Sequence, residues 1–170
     1  MLDALLLTTA LFVPIPQDPA PMRVVAVATA PHTIEMSREE TASKSPQAHD
    51  LRGELPSLYH GIYYRPDQEV FRKCVAGREG SFTYMVRGGD GDNYYGTYQM
   101  SAALVRGASW MMAAESKKTH DGLYREARRL HGIPGNKWSR YWQDRAFYTI
   151  LNYEHKWSGK GHWAGGRWHC

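Results

Sequence analysis

From residue 58 onward the apolar residues of this chain recur at helical spacing, break into short extended runs, and then return to helical spacing. In RPDQEVFRKCVAGREG, Val70, Phe71, Cys74, Val75 and Arg78 share one face of a helix. Asp67 stands where an N-cap is expected, and Gly80 ends the run. Glu79 follows Val75 by four residues, so it projects beside that face at the helix's C-terminal end, an unfavourable place for an anion. SFTYMVR and NYYGTYQM read as two strands around the turn GGDGDN. Helical spacing resumes at Ser101 (SAALVRGASWMMAAES), around Asp121 (DGLYREARRLHG) and after Ser139 (SRYWQDRAFYTILNYE). In the last of these, Trp142, Ala146, Phe147, Ile150 and Leu151 trace a core stripe, and Trp138 joins Trp142 as a core residue. HKWSGKGHWAGGRWHC has no helical period and reads as a packed strap. The pattern predicts an α+β domain, mainly α, with one small β-hairpin beside the first helix.

Upstream the pattern differs. Ala4 to Ile15 is an apolar stretch of signal-peptide length, too short to span a bilayer. Asp3 stands where a positive charge is expected, and Pro16 and Pro19 interrupt the segment, so residues 1–30 read as either an export signal or a flexible leader. Residues 31–57 are polar and read as a disordered linker. All 6 tryptophans and all 11 tyrosines lie beyond Leu58, which places the folded domain at 58–170.

At 170 residues the chain has room for one ordinary domain and a tail. Its net charge of +4 is unevenly spread. From Leu58 onward 17 Lys and Arg face 10 Asp and Glu, whereas residues 1–57 hold 4 against 7. A basic domain behind an acidic leader favours anionic partners, among them nucleic acid, membrane headgroups and an anionic cell wall. Two cysteines, Cys74 and Cys170, are too few for a disulfide scaffold and match no common zinc spacing. They read as two buried thiols or, in an oxidising compartment, as one bridge from the first helix to the C-terminal segment. His155, His162 and His169 recur every seven residues, wider than compact zinc motifs, so no metal is assigned.

The order of features narrows the reading. A helix carrying Cys74 ends in Glu79, the hairpin closes on Tyr95-Gly96-Thr97-Tyr98-Gln99, a serine opens a helix carrying Trp110, and the sequence closes on Trp168-His169-Cys170. This resembles the lysozyme-like domains of lytic transglycosylases, most closely the actinobacterial resuscitation-promoting-factor and transglycosylase-like branch. The likeness covers about Asp67–Trp110 in motif and Trp157–Cys170 in character. It implies a lysozyme-like fold, a Cys74–Cys170 bridge, and Glu79 as the one catalytic acid and base. Tyr95, Tyr98, Gln99 and Trp110 become the expected substrate contacts. One departure stands out: the family reads Glu-Ser-Gly where this chain reads Glu79-Gly80-Ser81.

Glycosidic cleavage needs a carboxylic acid to protonate the leaving oxygen. Hydrolytic glycosidases add a second carboxylate, whereas the resemblance implies an enzyme that uses the sugar's own 6-hydroxyl and leaves a 1,6-anhydromuramyl product. The glycine-rich hairpin lets backbone approach a sugar chain, and its tyrosines offer flat faces for saccharide rings. Asp90 and Asp92 read as a solvated turn, or as the second carboxylate of a muramidase of lysozyme type. The expected activity is peptidoglycan cleavage between N-acetylmuramic acid and N-acetylglucosamine, without cofactor, by a monomer that is secreted to the wall or virion-associated. A non-catalytic wall-binding or virion structural module is the rival from another class, and nucleic-acid binding has only charge in its favour. Arg125, Arg128 and Arg129 read as a solvated basic face.

Overall fold

Serines stand at the starts of three helices. The computed structural model describes residues 36–52, 55–153, 159–163 and 170, so the leader expected at 1–30 lies outside the described residues. Ser37 opens α1 (Arg38–Lys44) by accepting from Glu40 N–H, and Ser101 opens α3 (Ala102–Thr119) by accepting from Leu104 N–H. Ser139 precedes α5 (Arg140–Asn152) but makes no side-chain cap bond. Between them, α2 (Glu69–Gly80) grows out of a 3₁₀ turn at Pro66–Gln68, so Asp67 lies in that turn rather than capping the helix. Proline suits the first position of such a turn because its missing N–H would have no partner there. The short α4 (Tyr124–Arg129) follows a loop pinned by Asp121, whose carboxylate accepts from Leu123 N–H at 2.9 Å.

The extended segments are shorter than the sequence predicts. β1 (Arg87–Gly88), β2 (Tyr94–Tyr95) and β3 (Met100–Ser101) form an antiparallel sheet in the order β1-β2-β3, with Arg87 opposite Tyr95 and Tyr95 opposite Met100. A turn in which Val86 N–H donates to the Thr83 carbonyl shortens β1, and positive φ angles at Gly96 and Gln99 limit β2 and β3. The class is nevertheless the expected one, mainly helical with a small sheet. No helix among the described residues is long and apolar enough to cross a membrane.

Helix α5 is the centre of the packing. Its residues 140–150 are all buried, including Trp142, Ala146, Phe147 and Ile150 of the predicted stripe, and Trp138 is buried beside them. So are Arg140, Asp144 and Arg145, which a hydropathy pattern assigns to solvent. Each has partners from other elements. Tyr84 and Tyr98 both donate to Asp144 Oδ1, at 2.5 Å each, and the Arg72 guanidinium lies 3.6 Å from the same oxygen. Arg145 pairs with Glu115 at 3.0 Å and Asp121 at 2.9 Å, joining α3 and the loop before α4 to the core. Removing one member of such a buried pair costs about 3–5 kcal/mol, because the other charge is left without compensation. Arg72 also corrects the face predicted for α2: it is fully buried while Val70 is 80% exposed.

The linker expected over 31–57 is corrected as well. Within it α1 and a 3₁₀ turn at Pro46–His49 are ordered against α5. Glu39 is buried and accepts from Tyr141 Oη at 2.9 Å, Ala48 is fully buried, and the Pro56 carbonyl accepts from Arg140. A polar composition hid this because the partners that bury these residues come from a helix about 100 positions away.

Candidate active site

Glu79 occupies the last full turn of α2, where the chain must leave the helix at once. Ser81 takes up a left-handed conformation, φ 47°, and its N–H donates back to the Ala76 and Gly77 carbonyls, closing the helix. At position 80 only glycine fits: a Cβ there would lie 2.5 Å from Thr97 Cα, because the Gly96–Gln99 turn is pressed directly on the helix end. A side chain has no room at this position, and Ser81, the residue after it, is exposed.

The acid itself is partly exposed, with a side chain 30% accessible. Arg78 Nε and Nη2 both donate to its Oε1, at 2.9 and 2.6 Å, and Nη2 also donates to the Trp163 carbonyl at 2.7 Å. Trp163 is buried against Phe147 and donates its indole N–H to the Tyr98 carbonyl at 2.9 Å. Through Arg78, the Glu79 carboxylate is fixed to the strap, which in turn is fixed to the turn opposite. Four residues earlier in sequence than Arg78, Cys74 is bridged to Cys170, as the resemblance implies. Sequence reasoning used Arg78 only as a face residue; its adjacency to the acid was the available signal.

The turn is held from its other side by Gln143 of α5. Gln143 Oε1 accepts from Thr97 N–H at 3.1 Å, while Nε2 donates to the Tyr84 and Trp138 carbonyls at 2.8 and 3.0 Å. Gly96, at φ 74°, lies so close that a Cβ would overlap Gln143 Oε1 and stand 2.8 Å from its Cδ. Nothing in the sequence marks Gln143, and Thr97 stands there only as part of the hairpin motif.

The predicted substrate contacts divide. Tyr98 is corrected: it is fully buried, donates to Asp144 and accepts from Arg72 Nη1 at 2.9 Å, so it presents no face to a ligand. Burial, with the Asp144 charge beside it, lifts its phenol well above the ordinary range and keeps it a neutral donor. Gln99 is half-buried, and its side-chain amide donates to the Gly96 carbonyl at 2.8 Å while lying over Gly88 of β1. It braces the turn internally. Tyr95 is half-buried with the Arg87 guanidinium 5.3 Å from its ring centre, and it lines a cavity of about 250 Å³ with Arg106, His131 and Ile133. Trp110 is 46% exposed on α3, with Arg128 stacked 4.1 Å from its ring centre and His131 edge-on at 4.9 Å. Asp90 and Asp92 are exposed in a 3₁₀ turn between β1 and β2, where Arg87 donates to the Asp92 carbonyl. Among the described residues no group of three or more His, Cys, Asp or Glu is placed to hold a metal ion. His155 and His169 lie outside the described residues.

A partly exposed acid is therefore fixed at a helix end, against a glycine-containing turn, and the half-buried Tyr95 that precedes this turn lines a cavity together with Arg106. Compared with protein-family models, with curated proteins and with solved structures, the chain matches none.

Proposed function

We propose that this protein is a peptidoglycan lytic transglycosylase that cleaves the bond between N-acetylmuramic acid and N-acetylglucosamine, with Glu79 as its single acid and base. The observation that carries the reading is the fixation of Glu79: a partly exposed carboxylate held by Arg78 at the end of α2, beside the docked Gly96–Gln99 turn. A carboxylate held in one orientation at a helix end is positioned as acid and base catalysis requires.

In this reading Glu79 delivers its proton to the glycosidic oxygen as the bond from C1 to that oxygen breaks. The muramyl 6-hydroxyl then attacks C1, and its proton passes to the Glu79 carboxylate, which restores the acid. One bond forms for the one broken, and water is not consumed. Both bonds from Arg78 to Glu79 fall on Oε1, so in this reading Oε2 is the oxygen that carries the transferred proton. The Cys74–Cys170 bridge is in keeping with an oxidising compartment, hence with a protein exported to the wall or carried on a virion.

The test is digestion of purified peptidoglycan by the full chain and by Glu79→Gln, with mass spectrometry of the released muropeptides. Anhydro ends from the wild type, reduced at least 10²-fold by the substitution, are expected. Reducing ends in their place would make the protein a muramidase. No release from wall to which the folded protein is bound would leave a wall-binding module.

A further inference from the structure

The hairpin formed by α3 and α4 carries six Lys and Arg between Arg106 and Arg129, all exposed, against three acids. Two of those acids, Glu115 and Asp121, are buried and committed to Arg145. The face is strongly basic as a result, and at one end Arg106, with His131, lines a cavity. Arg106 opens onto it, and among the described residues its guanidinium has neither an ion pair nor a hydrogen bond. Ile133 and Pro134 supply apolar wall, and Tyr95 closes the side toward the Gly96–Gln99 turn. Next to it, Arg128 stacks on Trp110, an arrangement that covers the planes of both groups and leaves the guanidinium edge, with its N–H donors, directed outward.

We infer that this cavity and the Arg106–Arg128 edge bind the carboxylates of the stem peptides borne by a peptidoglycan strand. The inference rests on the peptidoglycan reading above and adds the substrate class: strands that still carry their peptides. Two observations favour that occupant over a bare glycan or a nucleic acid. The cavity joins apolar wall to unpaired guanidinium donors, which suits an acidic peptide, and guanidinium pairs with carboxylate through parallel N–H bonds. Its position also fits, because Tyr95 belongs to the strand that runs straight into the turn packed on the end of α2, next to Glu79. A stem peptide leaves the muramyl residue, the sugar whose bond is cut, so its carboxylates project beside the acid.

Isothermal titration of the full chain tests this with two probes, a disaccharide tetrapeptide with free carboxylates and the same compound with its carboxylates methylamidated. Arg106→Glu/Arg128→Glu is compared with Lys117→Glu/Lys118→Glu, which makes the same charge change about 16 Å further along the α3 axis from Arg106. The free-carboxylate probe is expected to bind the wild type about five- to tenfold more tightly. That preference should vanish in the first variant and persist in the second, with both variants folded by circular dichroism. Equal affinity of the wild type for the two probes, or equal loss of preference in both variants, overturns the assignment, as does tighter binding of a single-stranded oligonucleotide of matched charge. Turnover is not read in this experiment. An Arg106-dependent preference in a protein that Glu79→Gln leaves unchanged in activity would refute the catalytic reading while the binding site stood.

Discussion

Replacing Gly96 with alanine isolates the contact that holds the turn against the site. Two separate costs follow from the geometry. The backbone at φ 74° is left-handed, which disfavours any residue with a Cβ by roughly 1–2 kcal/mol. The new methyl would also overlap Gln143 Oε1, the acceptor for Thr97 N–H, so the amide must move. Its other end donates to two buried carbonyls, and displacing it leaves at least one buried group unpaired at about 1–3 kcal/mol. The expected loss is about 2–5 kcal/mol in urea unfolding. Gly91→Ala is the internal control: it has nearly the same φ, 71°, but its nearest neighbour is Asn93 Nδ2 at 3.3 Å on an exposed turn. It should lose only the backbone share, roughly 1–2 kcal/mol. Peptidoglycan digestion by the two variants, at temperatures where both are folded, should be impaired in Gly96→Ala alone. Equal destabilisation by the two substitutions would refute the reasoning, because the Gln143 contact would then contribute nothing.

Reduction of the Cys74–Cys170 bridge, or its replacement by Cys74→Ser/Cys170→Ser, releases a loop spanning 96 positions. On the chain-entropy relation that removes about 4–5 kcal/mol, read as a lower urea midpoint with and without reductant, and an unchanged midpoint would deny the bridge a structural role. Glu69 sets an acid limit. Burial alone raises its carboxyl, but hydrogen bonds from Arg72 and Tyr148 outweigh burial and bring it below the ordinary value, so the folded protein binds that proton less readily than the unfolded chain does. The stability it supplies is present above the unfolded pKa of about 4.3 and disappears as pH falls through the lower folded value. Thermal melts of Glu69→Gln should converge on wild type in that acid range and fall below it at neutral pH; parallel curves at every pH would rule this out.

What the sequence made legible was whatever depends on local spacing. Ser101 and Ser139 marked their helices, and the stripe from Trp142 to Ile150 is buried as its period implies. Glu79 was picked out by its place at a helix end, next to a glycine that the structure explains. What stayed hidden depends on partners far along the chain. Tyr98 sits in the same tyrosine-rich run as Tyr95, and no local pattern says which of the two meets Asp144 across 46 positions. Arg72, Asp144 and Arg145 are charged, and charge reads as surface unless the counter-charge is known. The polar residues around Glu39 looked solvated for the same reason, since their burial is decided by Tyr141. Cooperative ion pairing has no one-dimensional signature.

The bond between Cys74 and Cys170 also orders events in time. At 5–20 residues per second, a ribosome that has placed Cys74 needs roughly 5–20 s more to add the partner. During that interval the helix bearing Glu79 has no covalent restraint, and the strap that anchors Arg78 has not been made. The site is thus among the last parts of the domain to acquire its final geometry. Residues 1–170 hold only these two cysteines, so within them the bridge has no alternative partner. The competing error is a bond between two chains, so the hazard for oxidative maturation is crowding rather than scrambling, and it falls away with dilution.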